Sequence, residues 1–518
     1  MSYGPFDIGG GSGGIPEAPT DGKGYVRKNA AWAEETGGSA TGTAPTLQLS
    51  ATEVTAVVGA PDKTVTLSTA TGGAVTVTSS DDAIATASVS VDGKTITITG
   101  VAEGSAIITV SAAADGSNLA ASAAIAVTVL RGYRYGFRIA KNDSNPATRV
   151  EYLHDAVGLT PATMNYTENR FYYGDWADKW FVTENKPLML KNDGTVDYYL
   201  NPNNYDLKED GTASDVGNTA YLGNAMAQIP LCWLKMWEDD DYEYVIISNV
   251  QWDETYTAYA HTRKDGTIAD FFYYSMFDGS GNASKIRSLS GQTVAQSLTA
   301  ANEIAGCCAN GEKWYTHTWS QRTLITALLI LMGKSTDTQS VFGNGNCRSA
   351  SSNSGLIKTG TLKDKGQFFG FNTNTQAVKV FHIENFWGNQ WDRTAGLINA
   401  NGTIYAKMTP EGNGYRVTDT DGYENTGIAA PAGSGAYISK IRCGKYGFIP
   451  TAVSGSGSTY YCDGYWANNS QLDYLIAGAG ADDAPALGGA FAFAVNSAPS
   501  LAYWNSGCGL SCEMPAAA

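Results

Sequence analysis

VTVTSSDDAIATASVSVDGKTITITGVAEGSAIITVSA (75–112) contains three runs dominated by β-branched residues, 75–78, 95–99 and 107–110, separated by Asp- and Gly-bearing turns. Residues 95–99 alternate strictly between Thr and Ile, the pattern of a strand with one face on a core and the other in water. Moving outward, 65–67, 84–89 and 125–129 repeat the pattern. Six or seven short strands at this spacing fit a β-sandwich of about 85 residues. Residues 45–130 therefore read as an all-β sandwich.

Further out, the 518 residues are too many for one core at the usual ~100–200 residues per domain, so the chain is expected to be multidomain. Lys and Arg number 34 against 50 Asp and Glu, a net charge of -16, and only 16% of residues are charged. An acidic, charge-poor chain offers no cationic field for phosphates, which argues against nucleic acid or an anionic membrane as partner. The first residues, MSYGPFDIGGGSGG, have no basic or apolar signal region, and the longest apolar run, 324–332, is too short to span a bilayer. Eight cysteines (232, 307, 308, 347, 443, 462, 508 and 512) show no CxxC pair and are expected to be buried free thiols.

Residues 1–44 hold two Gly/Ser patches around PTDGKGYVRKNAAWAE (19–34), which reads as a short hairpin after a turn at 21–23. Residues 131–518 are aromatic and loop-rich, with helical spacing at 293–307 and 320–332 and turn-joined short strands elsewhere, an α+β pattern.

Three segments resemble known families. The stretch from LQLSATEV to AIITVSA, with Gly100 and Gly104 opening its ending, resembles a bacterial Ig-like group 2 domain, which implies a spacer. DGK-x-Y-x-R-x-N-x-x-W (21–32) resembles an element near the N-termini of phage tail-fibre proteins, which implies a virion anchor over 1–44. HIENFWGNQWDRTAGLINANGTIY (382–405), GFIPT (447–451), YYCDGYWANN (460–469) and LGGAFAFAVNSAPSLAYWNSGCGLSCEMP (487–515) are similar to C-type-lectin-like folds of the formylglycine-generating-enzyme type. Those folds include phage receptor-binding proteins and the variable proteins of diversity-generating retroelements. The resemblance implies a C-type-lectin-like region over 131–518 with a diversified segment at about 460–512. YGFRIAKNDSNPATRVEYLHDAVGLTPA (135–162), with YYLNPNNYDLKEDGTASD (198–215), also looks like tail proteins of phages infecting gut bacteria.

Catalytic motifs are sparse. The enzymes of the resembled family carry a C-x4-C pair, and Phe493 and Ala498 stand at those positions here. His154, His261, His317 and His382 are scattered, without G-x-S-x-G or zinc-ligand spacing. The run at 238–241 and the pair Asp482–Asp483 lack the alternating ligand spacing of a calcium loop, and the first reads as a solvated hairpin turn. No metal and no cofactor is expected. Paired carboxylates for glycoside hydrolysis can lie anywhere in a sequence, so a polysaccharide-degrading enzyme stays open as the alternative, as does a bacterial surface adhesin.

The terminal segment is rich in the aromatic and amide side chains of binding surfaces. The expected receptor-binding residues are Tyr465, Tyr474, Asp482, Asp483, Leu487, Ala494, Asn496, Ser497, Leu501, Tyr503, Trp504, Asn505 and Ser506, with 479–487 and 494–505 as exposed loops. Trp387, Trp391, Tyr461 and Trp466 are expected in the core. The implied partners are a host cell-surface glycan or protein, other tail or baseplate proteins through 1–44, and two further copies in a trimer.

Overall fold

In the computed structural model, residues 25–28 and 31–34 are described as backbone, and 46–68, 73–115, 117–410 and 414–514 in full. Strand accounts for 41% of the chain and helix for 10%, so the protein is β in its majority. It divides into two units, 1–131 and 132–518. Near the N-terminus, Tyr25–Lys28 pairs antiparallel with Ala31–Glu34, with Lys28 opposite Ala31. The expected turn at 21–23, and most of the proposed anchor, lie outside the described residues.

Unit 1 contains two four-stranded sheets. One orders Glu53–Val57, Ala121–Leu130, Gly104–Ala112 and Val75–Ser79; the other orders Gln48–Leu49, Lys63–Ser68, Thr95–Gly100 and Ala85–Val89. Alternation along these strands sends Val65, Ile96, Ile98, Ile108, Val110, Ile125 and Val127 into one shared core. Gly104 has φ +151, and a Cβ there would sit 2.8 Å from the Ile84 side chain. Glycine lets that strand start flush against the core.

Unit 2 is built around two large sheets. In chain order their strands are β1 (Lys186–Lys191), β2 (Val196–Asn201), β3 (Asn204–Lys208), β4 (Gly223–Pro230), β5 (Phe271–Ser275), β6 (Trp314–Thr316), β7 (Trp391–Ala400), β8 (Thr403–Ala406), β9 (Glu424–Ala429), β10 (Ser434–Tyr437), β11 (Gly464–Ala467), β12 (Leu472–Ala477), β13 (Phe493–Ser497), β14 (Ser506–Gly507) and β15 (Leu510–Glu513). The seven-stranded sheet runs β3-β2-β1-β4-β5-β15-β6. The eight-stranded sheet runs β9-β8-β7-β12-β13-β11-β10, with β14 beside β7. The last strand, β15, lies between β5 and β6, with Tyr274 opposite Ser511 and Trp314 opposite Cys512. The C-terminal segment thus completes a sheet begun more than 300 residues earlier.

Two longer helices accompany the sheets. Helix α1 (Ala300–Cys308) begins at Thr299, whose side chain accepts from the Asn302 N–H. The periodicity predicts a start at 293, but Ser297 has φ 57 and Val294 bridges Ser280. Apolar spacing alone does not distinguish the turn from the helix, whereas the Thr cap marks the true start. Helix α2 (Trp319–Gly333) starts at a capping box of Thr318 and Gln321 and is buried almost throughout. Its apolar residues surround the axis, as expected of a helix enclosed by the core. Acidic residues 239–241 form the turn of the hairpin joining Trp233–Glu238 to Tyr242–Ser248, where Asp239 Oδ1 accepts from the Asp241 and Tyr242 N–H groups.

Candidate functional site

Three neighbouring strands of the eight-stranded sheet place one residue each in a row. Trp466 on β11 and Ile476 on β12 both stand opposite Ala494 on β13. The small Ala494 leaves space between its larger neighbours, and an open cavity of about 170 Å³ occupies it. Trp391 forms another wall, its ring edge-to-face with Trp466 at 5.1 Å. Asn496 joins the same face two residues beyond Ala494, and Asp482, Asp483, Ser497, Tyr503, Asn505 and Ser506 complete the lining.

The 499–506 segment is held by its backbone. The Pro499 carbonyl accepts from Ala300 N, that of Tyr503 from Ser297 N, and that of Asn505 from Trp391 N at 2.8 Å. The Gln390 side chain donates to the Trp504 carbonyl, and Arg393, which forms a buried ion pair with Glu303, donates to that of Leu501. Carbonyl groups are the same whatever the side chain, so this grip is independent of the residue types it holds. Tyr503 is 53% exposed. Just before this segment, Gly489 has φ +145, and a Cβ there would strike the Asp463 carboxylate, which accepts from Phe491 N. Gly489 is thus required by the scaffold.

The electrostatics of the cavity centre on two adjacent carboxyls. Burial, with Asp482 as a neighbouring like charge, pushes Asp483 up to about 7, opposed by the Gly480 N–H that donates to Oδ2 at 2.8 Å. Burial also raises Asp482, against the hydrogen bond that Asn505 Nδ2 donates to it at 2.6 Å. Near neutral pH Asp483 is therefore part-protonated and can donate to a ligand as well as accept from one. Among the described residues no group of three or more His, Cys, Asp or Glu side chains is placed to hold a metal ion.

Eight of the thirteen expected contact residues line this cavity: Asp482, Asp483, Ala494, Asn496, Ser497, Tyr503, Asn505 and Ser506. Leu487, Leu501 and Trp504 are half-buried beside it and line none of it. Tyr465 and Tyr474 are corrections: each is 1% exposed, Tyr465 stacked on Phe493 and Tyr474 packed with Ala395 and Ile398. The exposed loops expected at 479–487 and 494–505 are also corrected in part. Residues 479–481 are buried and 493–497 form a central strand, because main-chain pairing with β11 and β12 makes a strand of a segment without alternation. Ala494, Ser497, Asp483 and Ser506 are accordingly buried yet face the cavity. Trp387, Tyr461 and Trp391 are core, as expected, with one side of Trp391 also lining the cavity, whereas Trp466 is half-buried and serves as a cavity wall. The period-two rule along β11 carried the missed signal, since adjacent Tyr465 and Trp466 must face opposite ways.

A second polar cluster adjoins this cavity in sequence at one residue, Asp392, which follows Trp391. Ser275 Oγ is 2.9 Å from His317 Nε2, and His317 Nδ1 is 2.9 Å from Asp392 Oδ2, the connectivity of a Ser-His-Asp triad. The Tyr274 ring stacks on the imidazole at 3.5 Å. Ser275 is 1% exposed and its Oγ accepts from Leu510 N, while the Gly509 backbone lies directly over the serine and histidine. The adjoining space of about 20 Å³ has room for one water but not for an acyl group. In this arrangement the cluster ties β5, β7 and the residues before β15 together. The eight cysteines are free, only Cys308 is exposed, and Cys307 and Cys508 approach to 3.7 Å between sulfurs.

No family profile and no curated protein matches the chain. Among solved structures, domains 4 and 5 of the S-layer protein SbsC are 32% identical over 17% of this chain and 46% of that one, with a TM-score of 0.14. Domains 5–6 of SbsC are 18% identical over 44% of this chain and 90% of that one (TM-score 0.14), and domains 4–9 are 14% identical over 84% and 63% (TM-score 0.15). The chain thus spans less than half of the first of these structures. TM-scores of this size assign neither fold nor function, and the site is read from its own residues.

Proposed function

We propose that this protein is a phage tail adhesin whose C-terminal region, a C-type-lectin-like head, binds a host-surface glycan or protein through the Trp391–Trp466 cavity. The observation that carries the reading is the division of labour in residues 499–506: carbonyl groups hold the segment while Tyr503, Asn505 and Ser506 line an open, aromatic-walled cavity. A surface built so accepts exchange of Tyr503 without loss of the scaffold. That is the requirement of a site diversified to follow a changing receptor, and it supports the retroelement reading. In this proposal the sandwich is a spacer, residues 1–44 attach to tail or baseplate proteins, and the particle is trimeric on the virion.

The test is attachment of the fluorescent full chain to a panel of gut bacterial isolates, beside an Ala494→Leu chain that fills the cavity. Selective attachment lost on filling supports the adhesin. Attachment to no isolate, or equal attachment by both chains, rejects it. Release of soluble glycan from cell-surface material by the purified chain would instead favour a depolymerase.

A further inference from the structure

A cavity of about 220 Å³ opens beside β1 and β2, and none of the residues in the first cavity contributes to it. Its floor is made of three polar side chains that are all nine-tenths or more buried, Asn185, Gln367 and His382. Gln367 Nε2 donates to the Val182 carbonyl and to Asn185 Oδ1, and its Oε1 accepts from the Tyr173 hydroxyl at 3.1 Å. Asn185 Nδ2 donates once, to the Gln228 carbonyl. Among the described residues, one Asn185 N–H and one lone pair on Gln367 Oε1 are left without a partner. The floor therefore presents one donor and one acceptor, both held in fixed orientation by their other hydrogen bonds.

His382 adds a second, independent sign. It occupies with Phe381 the two-residue turn between Lys379–Val380 and Ile383–Glu384, and both have positive φ, 49 and 65. Such turns ordinarily use Asn and Gly, so a Phe-His pair here holds a strained backbone. Tyr205 fixes the ring through a 2.6 Å contact at Nδ1, and burial pushes the imidazole well below its ordinary value, leaving it neutral. The lining holds one charge of each sign, Lys186 and Glu209, and Tyr173 and Tyr199 supply aromatic surface.

We infer that this cavity is a second binding site, for an uncharged, hydroxyl- or amide-bearing ring such as a neutral sugar residue. A hydroxyl both donates and accepts, which is what the floor lacks, and ring C–H groups suit tyrosine faces. A carboxylate or ammonium ligand would meet no net opposite charge. This site is independent of the proposed adhesin cavity and could serve the same or a different glycan.

The experiment is saturation-transfer NMR on the full chain with methyl glucoside, N-acetylglucosamine, glucosamine and glucuronate. Transfer to at least one of the two neutral sugars is expected, with both charged sugars about tenfold weaker. Thr183→Trp and Asn203→Trp, both at exposed positions of the mouth and each made in an Asn496→Trp chain whose first cavity is obstructed, should abolish the signal with unchanged thermal unfolding. Asn496→Trp, which obstructs the first cavity, should retain it. No transfer from either neutral sugar, equal transfer from glucuronate, or a signal that survives both mouth variants overturns the assignment.

Discussion

Two places in unit 2 gather polar side chains from distant parts of the chain, and they use them in opposite ways. At Ser275, His317 and Asp392 the groups satisfy one another, the Gly509 backbone seals them, and the space left is about 20 Å³. At Trp466 and Trp391 the groups face an opening of about 170 Å³, and two carboxyls sit at its edge. A closed network stabilises the fold and an open one has capacity to spare for a ligand. Triad connectivity by itself is therefore no sign of catalysis; room around the nucleophile is what separates the two regions.

The contrast breaks most visibly at His317. His317→Ala leaves Asp392 and Ser275 without their shared partner, and it should cost roughly 2–4 kcal/mol of stability in denaturant unfolding. A fluorophosphonate probe should leave Ser275 unmodified in the native chain; labelling would turn the closed cluster into a nucleophilic site.

At the open region the balance reverses. Ala494→Leu should reduce attachment to the receptor-bearing cell about tenfold or more, about 1.4 kcal/mol or above, with a stability change of about 1 kcal/mol. Tyr503→Ala should cost roughly 1–3 kcal/mol of affinity if the ring is a hot spot, and within about 0.5 kcal/mol of stability. If Tyr503→Ala destabilises the fold and leaves attachment per folded molecule intact, the segment is structural and the two regions are alike.

The smallest effect is pH dependence. Asp483 is raised to about 7 in the folded chain, against about 3.9 unfolded. The folded state thus binds the extra proton between those values. Its contribution to stability is fully present below about pH 4 and is lost as pH rises through about 7. Asp483→Asn should flatten that part of a stability-pH profile, where this group contributes a slope on the order of 1 kcal/mol per pH unit. An unchanged profile would show that Asp483 is better solvated than the geometry indicates.

Legibility differed between the units for a physical reason. In the sandwich, strictly alternating residues such as 95–99 encode both strand and inward face locally, and Ile96 and Ile98 are fully buried as the pattern requires. Helix α2 was readable to within a residue at each end, 320–332 against Trp319–Gly333, since its apolar run is contiguous. Residues 493–497 were not: FAVNS has no alternation, and it is a strand because β11 and β12 flank it. Tyr465 and Tyr474 misled because tyrosine suits a core and a contact surface equally, and only the side of the sheet decides.

The sequence by itself determined the β majority, the sandwich strands, the start of α2 and the stretch from which most of the cavity lining comes, because each rests on neighbours within a few residues. Tertiary structure alone decided that β15 enters a sheet begun at β1 and that Trp466, Ala494 and Ile476 share a row. It likewise brought Ser275, His317 and Asp392 together. Those outcomes depend on pairing between residues tens to hundreds of positions apart, and such pairing is selected by packing of the whole unit, which no local pattern records.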